Sequence, residues 1–108
     1  MADRLSNSLN DAIAGLQMVD FTASLTIPDG RTTLQSLDID FSSVVPSGKT
    51  LVGNSVVKLN NYTLPYRNAD GSMNTWVEYI SNTTKKIRIF SNATEWTNYT
   101  LRVILFFK

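Results

Sequence analysis

Asp38 and Asp40 stand two residues apart in an alternating run, where period-2 geometry puts both carboxyls on one strand face. Strand rise separates their Cβ atoms by about 7 Å, a spacing that overlaps the carboxyl separations of glycoside hydrolysis. Paired acids are also the ordinary dress of a solvated or edge-protecting strand face, and no flanking pattern predicts a cleft around this pair. The chain has no histidine and no cysteine. Imidazole acid–base chemistry, thiolate nucleophiles, Ser-His-Asp triads, disulfides and Cys/His metal sites are thereby excluded. Asp29-Gly30 and Asp70-Gly71 read as turns and do not extend to a calcium loop. There is no glycine-rich phosphate loop. Enzyme activity, a metal and a cofactor are not expected.

Binding chemistry is better represented, in aromatic residues beside polar loops. Sugar rings present apolar C–H faces that pack on Trp and Tyr, while neighbouring amides and carboxylates bond the hydroxyls. Trp96, between Glu95 and Thr97 with Asn98 next, is the best single residue for this role. A lone loop Trp can equally cap the end of a core. Tyr62 and Tyr66 flank Pro65, close to Arg67, Asn68 and Asp70, as either a carbohydrate-contacting rim or tyrosines with solvated tips. Trp76 opens a strand among Val77, Tyr79 and Ile80 and reads as core or interface. The candidate ligand-binding set is therefore Trp96, Asn98, Tyr62, Tyr66 and Asp70.

The elements that would position these residues are mostly strands. Phe21, Ala23, Leu25 and Ile27 alternate with polar residues until Pro28-Asp29-Gly30, and Leu37, Ile39 and Phe41 alternate with the two aspartates. Thr50 to Val52 and Ser55 to Leu59 make one long strand or two, broken at Gly53-Asn54, where a bulge fits. Tyr62 to Tyr66 is a short edge piece, because Pro65 cannot donate to a central ladder. Thr75 to Ile80, Lys85 to Phe90 and Tyr99 to Phe107 complete the series. About seven or eight short strands at regular spacing signal a sandwich or jelly roll.

Both faces of the last strand are largely apolar. Tyr99, Leu101, Val103, Leu105 and Phe107 share one face; Ile104 and Phe106 lie on the other. Such a strand is expected to be covered on both sides, the second cover being another copy of the chain. Ahead of the strands, Leu5, Leu9, Ala12, Leu16 and Val19 form an a/d seam, so residues 4–19 are expected to be helical. That helix would serve as an oligomerisation neck (residues 1–19), or pack on its own domain, before a β-sandwich head at residues 20–108. The fold class is all-β, a jelly-roll-like antiparallel sandwich with a short N-terminal α-helix.

Net charge is +1 with the charges scattered, so no nucleic-acid footprint is present. No stretch reaches the roughly 20 apolar residues of a membrane span, and the amino terminus lacks the basic-then-apolar order of a signal peptide. Synthesis and folding in a cytoplasm are expected. Four Asn-X-Ser/Thr sequons, at Asn61, Asn82, Asn92 and Asn98, read as by-products of an Asn- and Thr-rich composition.

Three stretches together resemble a known group. They are Ile39-Asp-Phe-Ser-Ser-Val-Val-Pro-Ser-Gly-Lys-Thr-Leu-Val-Gly53 with Trp76-Val77, then Ile87-Arg-Ile-Phe-Ser-Asn92, then Trp96-Thr-Asn-Tyr-Thr-Leu-Arg-Val-Ile-Leu-Phe-Phe107. The order resembles the C-terminal β-sandwich head domains of tail-fibre, baseplate and minor structural proteins of bacteriophages and prophages of Gram-positive hosts. The likeness covers about residues 36 to 107 and consists of strand and turn patterns. It implies a virion protein made in the bacterial cytoplasm, a homotrimer with helices bundled at the axis, and heads that meet other virion proteins and bind cell-surface glycan. A capsid decoration or tail assembly protein without a ligand is the alternative.

Overall fold

A computed structural model of the chain describes residues 15–108. Nine strands follow one another: β1 (Gln17–Ile27), β2 (Gln35–Asp40), β3 (Leu51–Asn54), β4 (Lys58–Leu59), β5 (Tyr62–Thr63), β6 (Tyr66–Arg67), β7 (Met73–Ser81), β8 (Lys86–Ser91) and β9 (Trp96–Phe107). A short 3-10 turn, Ser42–Val44, follows β2. The strands make two antiparallel sheets. The first runs β1-β9-β4-β5, with β3 also paired to β9; the second runs β2-β8-β7-β6. The sandwich-like all-β architecture expected from the alternation is thus present.

Alternation fixes which side chains face inward. Val19, Phe21 and Ala23 of β1 stand opposite Leu105, Val103 and Leu101 of β9. In the second sheet Leu37 and Ile39 pair with Ile89 and Ile87. Phe41, just past β2, is fully buried, and its ring meets that of Phe21 edge-on at 6.3 Å between centroids. This contact joins the sheets. Thr75 and Ser91 are the buried polar residues of the core; they are cross-strand partners whose hydroxyls hydrogen-bond each other at 2.9 Å. Each thereby keeps the partner that burial demands. Gly30, in the crossover from β1 to β2, donates its N–H to the Ala93 carbonyl at 2.7 Å. A Cβ there would lie 2.2 Å from the Ser91 carbonyl oxygen, so only glycine fits.

Two expectations change. First, β1 begins at Gln17, so residues 17–19 are strand where the helix was expected to end. Met18 and Val19 extend the ladder against Phe106 and Leu105, and that pairing outweighs the end of the heptad seam. The rest of the expected helix lies outside the described residues. Second, Trp96 is not in a loop but opens β9, opposite Ile27. Within the single chain, β9 is fully covered on one face. Leu101, Leu105 and Phe107 are completely buried, while Ile104 and Phe106 on the opposite face are half-buried.

Truncating a buried aromatic ring removes its transfer energy and leaves a cavity. Phe41→Ala is expected to lower unfolding stability by about 3–5 kcal/mol in urea denaturation. Leu34→Ala, at a half-exposed loop position, is expected to stay within about 0.5 kcal/mol of wild type. Equal effects would mean that the sheets do not meet at Phe41.

Candidate functional site

The sequence-nominated tyrosines come from two different sheets. β4 and β5 form a hairpin with Leu59 opposite Tyr62. Its turn uses Asn60 at φ 52°, a left-handed conformation that asparagine tolerates. Asn60 is tied to β9 in both directions, its N–H donating to the Thr100 carbonyl and its side-chain oxygen accepting the Thr100 N–H. After Tyr62-Thr63 the chain passes through buried Leu64 and a cis Leu64–Pro65 bond, then enters the second sheet, where Tyr66 pairs with Thr75. The two tyrosines therefore face each other across the end of the sandwich.

Trp96 and Tyr99 come from β9, and their placement depends on a bulge. Tyr99 stands opposite Leu25 and Trp96 opposite Ile27, so β9 spends one more residue than β1 over this stretch. Asn98 takes φ 55° here, and its N–H donates to the Thr26 hydroxyl. In an unbroken strand, residues three apart point to opposite faces. The extra residue brings Trp96 back to the side that Tyr99 occupies.

The result is a four-ring cluster. Tyr62 lies edge-to-face with Tyr66 and Trp96, at 5.1 and 5.5 Å between centroids. Tyr66 meets Trp96 at 5.8 Å, and Trp96 meets Tyr99 at 4.8 Å. A pocket of about 230 Å³ opens on these rings and is completed by Asn74, Ala93, Thr94 and Glu95. Trp96 is only 7% exposed and forms the buried base, whereas Tyr62 is 42% exposed. Such a pocket offers chiefly hydroxyl, amide and carboxylate groups for hydrogen bonds, beside a smaller apolar surface from the rings.

Of the sequence-nominated residues, the fold brings Tyr62, Tyr66 and Trp96 together. Asn98 serves the bulge and does not line the pocket. Asp70 also lies outside it, its carboxylate accepting the N–H and hydroxyl of Ser72 within the Asn68–Ser72 turn. Tyr99, Asn74, Thr94 and Glu95 were missed. Tyr99 reads by alternation as part of the inner face of β9, and only the bulge brings it beside Trp96. Trp76 stands elsewhere, on the outer face of the second sheet, stacked on Phe90 at 5.9 Å with its indole N–H donating to Glu78.

The aspartate pair sits on the outer face of β2 and is neutralised residue by residue. Asp38 accepts two hydrogen bonds from Arg88, at 2.7 and 2.9 Å, and Arg88 also lies over the Tyr79 ring. Asp40 accepts the Ser42 N–H at 2.7 Å and stands opposite Lys86. Hydrogen bonds from Arg88 and from Ser42 hold the two carboxyls below the usual carboxylate range. A general acid needs the opposite shift. The solvated-face reading of this pair fits that environment. Among the described residues, no helix is long and apolar enough to cross a membrane.

Because the folded Asp38 pKa lies below its ordinary value of 3.8, protonation favours the unfolded chain. This contribution is fully present above that ordinary value and is lost as pH falls through the lower, folded one. Melting temperature is expected to be level near neutrality and to fall in acid below about pH 4, with a shallower acid slope in Asp38→Asn. An identical slope in the variant would show that the Arg88 pair carries none of the acid sensitivity.

Comparison of the chain with family models, curated proteins and solved structures finds no match.

Proposed function

We propose that this chain is a saccharide-binding head of a bacteriophage or prophage virion, a jelly-roll-like β-sandwich that works as a homo-oligomer, with a trimer favoured. The observation that carries the binding role is the pocket in which Tyr62, Tyr66, Trp96 and Tyr99 converge with polar groups at its lip. Aromatic faces beside hydroxyl and amide groups suit the two-sided character of a sugar ring. The virion context rests on the resemblance over residues 36 to 107.

Pocket size argues for multivalency. At about 230 Å³ it falls below the usual range for ligands of drug size and holds little more than one sugar ring. A single site of this kind binds weakly. Symmetric repetition can raise avidity by about 10²–10⁴ without any new contact.

Oligomerisation is supported by an apolar strip on the outer face of the first sheet. Met18 is 68% exposed and stands opposite half-buried Phe106; Val56, 60% exposed, flanks half-buried Ile104. Val52 is exposed in the bulge of β3 nearby. Contiguous exposed apolar surface of this sort marks an interaction face. The same strip favours the second reading, a capsid decoration or tail assembly protein without a ligand, since that role needs the interface and not the pocket.

Two measurements separate these readings. On a multivalent array of bacterial surface oligosaccharides, wild type is expected to bind, and Tyr62→Ala to lose about tenfold in affinity, equivalent to about 1.4 kcal/mol. Absence of binding across the array, together with binding to assembled virus particles, would favour the assembly role. In light scattering the chain is expected to have the mass of a trimer, and Val56→Lys to shift it toward monomer. A monomeric wild type would remove the avidity argument.

A further inference from the structure

We infer that the saccharide taken by the four-ring pocket carries a cationic nitrogen, in the manner of a sugar with a free, protonated amine. The inference rests on the saccharide-binding reading and narrows it. Its basis is the state of the acidic side chains. Asp20, Asp29 and Asp38 are each paired with an arginine. Asp40 and Asp70 accept hydrogen bonds from Ser42 and Ser72, and Glu78 accepts one from the Trp76 indole. Among the described carboxylates, Glu95 alone has neither a hydrogen bond nor an ion pair, and it stands at the lip of the pocket.

No lysine or arginine lines that pocket. Arg67, adjacent in sequence to Tyr66, is held away by its hydrogen bond to the Gly71 carbonyl. The pocket therefore combines one uncompensated negative charge with aromatic faces, whose quadrupoles are also negative. Both attract a cation, and they act together when it sits over a ring within reach of the carboxylate. A neutral sugar would use the rings but make no use of the solvent-exposed carboxylate of Glu95. A sugar bearing carboxylate or phosphate would be repelled by it, which gives discrimination as well as affinity.

The full chain would be titrated with two probes of the same backbone that differ at the 2-amino group, protonated in the glucosamine tetramer and acetylated and neutral in the N-acetylglucosamine tetramer. The titration would be followed by amide chemical shifts at about pH 6, in about 50 mM salt to limit screening. The free-amine tetramer is expected to bind at least about fivefold tighter. That preference is expected to shrink to within about twofold in Glu95→Gln, and to fall in wild type when salt is raised to about 500 mM. Wild-type melting temperature in the variant confirms that the fold is intact. Equal binding, or tighter binding of the acetylated tetramer, would overturn the charge requirement and leave the saccharide reading standing. A preference that persists in Glu95→Gln would overturn the role of that carboxylate. Binding of neither tetramer would overturn the charge inference; only silence across the whole oligosaccharide array would remove the saccharide reading as well.

Discussion

The structure hangs on one strand. β9 is 12 residues long and sits in the middle of the first sheet, with β1 along one edge and β3 and β4 along the other. Every strand of that sheet except β5 hydrogen-bonds to it directly, and β5 does so through β4. Its inward residues Leu101, Val103, Leu105 and Phe107 supply the fully buried floor of the core. Its first four residues supply half of the aromatic cluster. Core and candidate site are thus two ends of one ladder, and the bulge at Asn98 marks the change between them. Before the bulge the strand shapes a pocket; after it, β9 packs a sandwich.

Much of this was legible in the alternation. Phe21, Leu25 and Ile27, then Leu37, Ile39 and Phe41, then the inner face of β9 were all marked by period 2. The signal holds there because each of these strands packs one face on a single core. It failed where geometry is set at a distance. Gln17 to Val19 carry the end of a heptad pattern, yet their backbone is captured by Leu105 to Phe107. Tyr62 and Tyr66 look like one edge piece but belong to separate sheets, a division made by their partners Leu59 and Thr75. The nearness of Trp96 to Tyr99 depends on an extra residue in β9, and Asn98 was its only local mark. Asn98 takes its place at the bulge through its left-handed backbone and does not line the pocket.

The charged residues follow the same logic of partnership across strands. Asp38 stands directly opposite Arg88, and Asp20 reaches Arg102 on the neighbouring strand. These pairs lie on solvent faces, where each adds little to stability but keeps like charges apart. Hydrogen-bond donors also set the state of the paired acids two residues apart. Each carboxylate already has a donor, so its ionised form is the one the fold favours.

The central position of β9 also bears on the order in which the chain can assemble. β7 and β8 adjoin along the chain, and their ladder closes over the short Asn82 to Lys85 turn. The first sheet has no such shortcut between its two longest strands. Asp20 and Arg102, which grip each other across β1 and β9, are 82 residues apart. The entropy of closing so long a loop must be met before its contacts return anything, and topologies dominated by such contacts fold slowly. β6, β7 and β8 can therefore form a three-stranded meander from adjacent segments, whereas β2, whose Asp38 is 50 residues from Arg88, joins them only across a long loop. β1 and β3 have no ladder to join until the last strand arrives, and β4 has only its short pairing with β5; for that interval their inner faces are the surfaces most exposed to misassociation.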